Sequence, residues 1–274
     1  MTALADVEPA ETAERTGSAG WRVIAAQECR DLWVSGRGPV LVFAYSVLLS
    51  VVTYLAATNQ ILNFLEQRES VNLTLQVAVA VGVLLTLVVS ADSISGERER
   101  GTLESLLLTP VSRGAIVLGK LVASLSLWFA TFLVSVPYVA VLGRGVNVVG
   151  QALLLGLVVG TLLAVALAVI GLLISAASNS NRVSLAVGLF LLLALFAPTQ
   201  LPAMPTSSVG DLLIRINPVS AGMHYIQAVL LKGHTWTQDL SYLISPVVTV
   251  VAAGVALAVA GSKIVRLSGG WGAR

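Results

Sequence analysis

The groups able to do chemistry crowd into residues 94–120, ISGERERGTLESLLLTPVSRGAIVLGK. Glu97, Arg98, Glu99 and Arg100 stand together, and Gly101 follows them. Charges set this closely suit charge-assisted hydrogen bonds to a partner surface; equally, they serve to keep a loop out of lipid. Leu103, Leu106 and Leu107 recur at helical spacing with Glu104 on the other side, which predicts a short amphipathic helix. Thr109-Pro110 stops it, because proline disfavours a helical residue before it. The same pair can open a second helix, with Thr109 as N-cap and Pro110 in the first position. That helix runs through Arg113 and Lys120 into a long apolar run. A short amphipathic helix, a break and a helix entering an apolar run make a docking surface at a membrane face.

Other chemistries fare worse. Gly114 to Lys120 fits G-x-x-x-x-G-K, but Leu121 stands where Ser or Thr must ligand magnesium. The residues between are bulky and helical, whereas a phosphate loop needs a flexible turn whose N–H groups converge. If ATP drives this protein, another subunit binds it. His224 and His234, with Met204 and Met223 near them in sequence, offer ligand types that suit copper, at a spacing that matches no recognised site. Asp92 falls at one end of an apolar run, where it would cap or tether the charged stretch; no carboxylate falls near the middle of a run, as a proton- or sodium-coupled carrier would need. G-x-S-x-G with a membrane histidine and H-E-x-x-H are both missing, which counts against an intramembrane hydrolase. One cysteine, Cys29, excludes internal disulfides. The site residues expected for docking are therefore Glu97, Arg98, Glu99, Thr102, Leu103, Glu104, Leu107, Pro110 and Arg113, with no catalytic, cofactor-binding or metal residue.

The elements that position these groups are apolar. Hydrophobic residues make up 56% of the chain and charged residues 11%, and mean hydropathy is +0.89. A soluble domain carries roughly 25% charged residues, so the hydrocarbon slab is this chain's solvent. Apolar runs predict an all-α membrane protein with six spans near 39–57, 73–93, 117–142, 152–175, 183–201 and 240–262. Residues 1–20 read as a disordered acidic tail without a signal peptide, 21–266 as the six-span domain and 267–274 as a second tail. Residues 21–36 read as a helix in the headgroup layer, with Trp21, Ile24, Ala25, Leu32 and Trp33 on one side. Six spans put both termini on one side. Arg15, Arg22, Arg30, Arg37, Arg98, Arg100, Arg113, Lys120, Arg182, Lys263, Arg266 and Arg274 would share that side, against Arg68, Arg144, Arg215 and Lys232 on the other. By the positive-inside rule the termini and the 94–120 loop are cytoplasmic.

Small residues at four-residue spacing, Gly156, Gly160, Ala164 and Ala168 in the fourth span and Gly254 and Ala258 in the sixth, allow close helix packing within the chain. Ser50, Thr53, Tyr54, Gln76, Thr86, Ser124, Thr131, Ser135 and Thr161 either line a pathway or bond across helices. On the outer side, Asn217-Pro218 starts a helix with Tyr225, Ile226, Val229 and Leu230 on its apolar face; Gly233 ends it. This helix is too short to span and is expected at, or dipping into, the outer leaflet.

GERERGTLESLLLTPVSR, followed by Gly119-Lys120, resembles the first cytoplasmic loop of permease subunits from ABC exporters of the second type, including a branch that serves multicopper-enzyme maturation. The likeness extends over roughly residues 20–265. It implies an N-terminal interfacial helix bordering an ATPase subunit and a coupling helix, around 97–109, between the first pair of spans and the second. It further implies two separate ATP-binding subunits that carry ATP and magnesium, and a second permease chain, identical or not, with substrate passing between the two chains along spans 2 and 5. A bacterial inner membrane suits the composition, membrane lipid is a further partner, and nucleic acid is not one. The alternative is a membrane scaffold that anchors a soluble partner without transport.

Overall fold

A computed structural model describes residues 10–58, 64–102, 112–200 and 208–264. Among them the regular structure is helical: α1 (Ala10–Val34), α2 (Arg37–Thr58), α3 (Phe64–Arg100), α4 (Arg113–Leu142), α5 (Val149–Ala177), α6 (Asn181–Gln200), α7 (Ser208–Ile216), α8 (Pro218–Leu230) and α9 (Ile244–Ile264), the last entered through a 3-10 turn at Leu240–Leu243. Six of these stretches, within α2, α3, α4, α5, α6 and the turn plus α9, are long and apolar enough to cross a membrane. Their centres coincide with the six apolar runs. The ends differ most at α3, which runs seven residues beyond 93 to Arg100. Helix α1 begins at Ala10, so part of the expected tail is helical; Ala10, Glu11, Ala13 and Glu14 are strong helix formers that extend it upstream.

Helices α3 and α5 form the centre of the bundle and pack most extensively on each other. Val71, Leu75, Val79, Val83 and Leu87 recur every four residues along α3 and are fully or almost fully buried. Leu155, Val159, Leu163 and Leu167 do the same on α5. Burial against protein rather than lipid gains little hydrophobic energy, so close packing must supply the attraction. The small-residue stripe of α5 provides it within the chain. A Cβ at Gly160 would lie 2.6 Å from the Trp128 ring of α4, and Ala164 and Ala168 are completely buried. Gly254 of α9, by contrast, meets nothing within 4 Å.

Most of the polar span residues satisfy themselves locally. Thr86, Ser124, Thr131 and Ser135 donate to carbonyls three or four residues back on their own helices. Two of these residues also bond across helices: Ser50 with Tyr138 at 2.9 Å, and Thr161, which accepts from the Trp128 indole N–H at 3.0 Å.

Helix α8 starts where Asn217-Pro218 predicts. The Asn217 side-chain oxygen Oδ1 accepts from the amides of Val219 and Ser220 at 3.0 and 3.2 Å, and Pro218 occupies the first turn. Gly233 follows the helix with φ +69°, a conformation that favours glycine. The apolar face is wider than the sequence pattern suggests. Ala221, Gly222 and Met223 are buried along with Tyr225, Ile226, Val229 and Leu230, because α5, α6 and α9 all pack against the helix. Asn217 also donates to the Leu195 carbonyl of α6 at 2.8 Å. Asn217→Ala should lower stability by about 1–2 kcal/mol, the usual cost of a lost cap, read as a fall in thermal unfolding temperature in detergent.

Candidate functional site

Glu97 to Arg100 form the last turn of α3. The chain then closes on itself: Gly101 sits at φ +72°, its amide donates to the Arg98 carbonyl, and the Thr102 amide donates to the Glu97 carbonyl. This is a Schellman end, and it needs glycine at the left-handed position. A single helix over 97–109 is therefore corrected: Gly101 separates the charged turn from Leu103 onward. At the other side of the link, Ser112 is extended at φ −66°, ψ 144°, and its hydroxyl accepts from the Ala115 amide at 3.3 Å. Ser112 rather than Thr109 caps α4, which starts at Arg113. Leu103, Glu104, Leu107, Thr109 and Pro110 lie outside the described residues.

The charged end of α3 faces inward as well as outward, and it is tied to five other helices at one end of the bundle. The ammonium of Lys120, on α4, is shut off from solvent: its side chain is 0% exposed and donates to Glu28 of α1 at 2.7 Å and to Glu97 of α3 at 2.6 Å. Beside it, Arg37 at the start of α2 pairs with Asp92 of α3, whose other oxygen accepts from the Asn181 side chain at 2.7 Å. Arg98 donates to the carbonyls of Ser178 and Ala176 at the C-terminus of α5, where the helix dipole favours a cation. Glu99 accepts from the Asn181 amide at the N-terminus of α6, where the dipole favours an anion. Ser95 and Ser175 bring their hydroxyls within 3.2 Å between α3 and α5.

A cleft of about 630 Å3 opens among α1, α2, α3 and α4. Glu28, Asp31, Arg37, Asp92, Arg100 and Lys120 line it, with Thr102 at the lip. Of the docking residues expected from sequence, Glu97 and Arg98 are half-buried in this junction, while Glu99, Thr102 and Arg113 are exposed. Sequence reasoning placed Lys120 in a rejected phosphate-loop match, in the family-like Gly119-Lys120 pair and in the charge count, and gave it no counter-charge. The usable signal was a lysine inside an apolar helix, between Ile116, Val117 and Leu121, which must find a counter-charge. Asp92, expected to cap or tether the charged stretch, holds Arg37 of α2 and Asn181 of α6.

A family model described as ABC-2 family transporter protein matches residues 22–265. The chain belongs to this family. No curated protein matches it. The match covers α2–α9, the C-terminal half of α1 and the ionic junction, so the junction is part of the ABC-2 permease proper.

Elsewhere in this ABC-2 chain, no group of three or more His, Cys, Asp or Glu side chains able to hold a metal occurs among the described residues. His234 Nδ1 stands 2.5 Å from Asp239 Oδ2. The His224 ring lies 4.6 Å from that of Tyr242, and Met223 is buried in the core. The Tyr225 hydroxyl, pushed above its ordinary pKa by burial and then by Asp239, donates to the Trp236 carbonyl at 2.8 Å. These contacts pin the connection from α8 to α9 together. Met204 lies outside the described residues. The chain is a permease with no nucleotide-binding motif of its own.

Proposed function

We propose that this ABC-2 permease is the membrane half of an ATP-driven exporter. Two copies of the chain, or this chain and a related one, enclose the pathway; two separate ATPase subunits carry ATP and magnesium. The termini and the 94–113 segment face the cytoplasm of a bacterial cell, as the distribution of Arg and Lys favours. The observation that carries the reading is the family match across all six apolar helices and the charged segment between the first pair and the second.

The ionic junction supports the same reading mechanically. The segment 103–111 leaves the Schellman end of α3 and returns at the Ser112 cap of α4, so both of its ends are held by hydrogen-bonded turns. A partner that grips this segment pulls directly on α3 and α4. Leu103 and Leu107 would enter an apolar groove of the ATPase subunit, with Glu104 making a charge-assisted bond at its edge. The branch that serves multicopper-enzyme maturation is the finer assignment we favour, on resemblance of the charged loop.

Reversal of Glu104 tests the docking assignment. Glu104→Lys should bind the ATPase subunit at least about tenfold more weakly, because it turns an attractive pair at the groove's edge into a like-charge contact. The thermal unfolding temperature of the permease should stay at the wild-type value. Equal ATPase binding by the variant, measured by co-purification from mild detergent, would remove Glu104 from the interface.

A further inference from the structure

We infer that Lys120 is a positioning residue that clamps α1 and the end of α3 onto α4, so that these three elements move as one body when a partner loads the 103–111 segment. The clamp is read from the geometry; its use in coupling rests on the ATPase reading above. The Gly119-Lys120 pair, which mimics the end of a phosphate loop, has two mechanical parts. Gly119 lets α1 come close: a Cβ there would fall 2.5 Å from Ile24 Cγ2 and 3.0 Å from the Ala25 amide nitrogen. Lys120 then reaches Glu28, four residues along α1 from Ile24 and so on the same face, and Glu97 on the last turn of α3. One turn further on, Trp33 donates to Ser126 of α4 at 3.1 Å and repeats the attachment.

The charge count argues that the clamp serves orientation more than stability. Two carboxylates share one ammonium, and Glu97 Oε2 is buried without a hydrogen-bond partner. Replacing a buried ionic triad by neutral groups of similar shape is often neutral or stabilising, whereas removing only the central charge strands the others. An ionic triad does impose direction: its three members must stay within hydrogen-bond reach, whereas apolar contacts can slide.

Hydrogen exchange on the purified chain tests the clamp with no partner present. Lys120→Met should raise amide exchange across residues 20–34 by about tenfold or more, with α5 and α8 unchanged, and Lys120→Arg should restore most of the protection. Unchanged exchange over 20–34 in Lys120→Met overturns the clamp whether or not an ATPase binds. The coupling role is read with the combined variant Glu28→Gln, Glu97→Gln, Lys120→Met, which leaves no carboxylate stranded. In the wild-type complex, adding Mg-ATP should change exchange in α4; in the combined variant, with equal ATPase bound and an equal unfolding temperature, that change should shrink by about fivefold or more. A full-sized response in the combined variant overturns coupling through Lys120. A wild-type chain that binds no ATPase overturns the coupling role together with the exporter reading, and leaves the exchange result on the isolated chain to decide the clamp.

Discussion

Glu97→Lys should destabilise the permease by about 3–5 kcal/mol, the range for removing one partner of a buried ion pair. The new ammonium would stand where a carboxylate now lies 2.6 Å from Lys120, whose own side chain has no exposure. Glu28 alone would then face two cations, and it belongs to another helix. Glu97→Gln keeps the shape and still accepts a hydrogen bond from Lys120, so it should cost far less. Thermal unfolding in detergent checks both, and a Glu97→Lys protein as stable as wild type would mean that the triad does not form. The sequence places Glu97 and Glu104 alike among the residues expected for docking. The structure holds Glu97 inside the junction, so its reversal tests the fold as well as the partner.

Trp128→Ala is the second large effect, at about 3–5 kcal/mol for deleting a buried aromatic ring. Trp128 is 1% exposed and fills a socket with glycine on two sides: Cβ atoms at Gly82 and Gly160 would stand 2.9 and 2.6 Å from its ring. Its indole N–H donates to Thr161, so α4 is joined to α5 by both shape and a hydrogen bond. Lipid is as apolar as the ring, and the loss comes from the cavity and the missing contacts rather than from transfer to water. Trp128→Phe keeps part of the ring and should cost less than half as much. Thermal unfolding of the two variants, compared with wild type, gives the ratio; equal losses would show that a partly filled socket holds no better than an empty one.

The six long helices were legible because apolar runs of about 19–25 residues have one economical solution in a bilayer, where backbone groups must bond within the segment. Asn217-Pro218 was legible for a local reason: its cap bonds lie within three residues. The end of α3 was not. Glu97 to Arg100 look like a loop when charge alone is weighed, yet glutamate and arginine are good helix formers and Gly101 marks where the helix stops. Ser112 displaced Thr109 as the cap of α4 because either hydroxyl can start a helix, and the choice depends on where the α3 end delivers the chain. Helix α8 reads as amphipathic from its own residues; three neighbours bury its small-residue side too, and no pattern within thirteen residues reports them. Lys120 was the largest miss. Its counter-charges, Glu28 and Glu97, lie 92 and 23 residues away and become partners only through packing.

The most direct measurement is gentle purification of the tagged chain from its native membrane, followed by mass spectrometry of the intact assembly. The account predicts two permease chains with two copies of a soluble subunit that carries the Gly-Lys-Ser/Thr phosphate loop this chain lacks. A permease recovered without such a subunit, through several mild detergents and in cells that express it normally, would contradict an ATP-driven exporter and leave a membrane scaffold in its place.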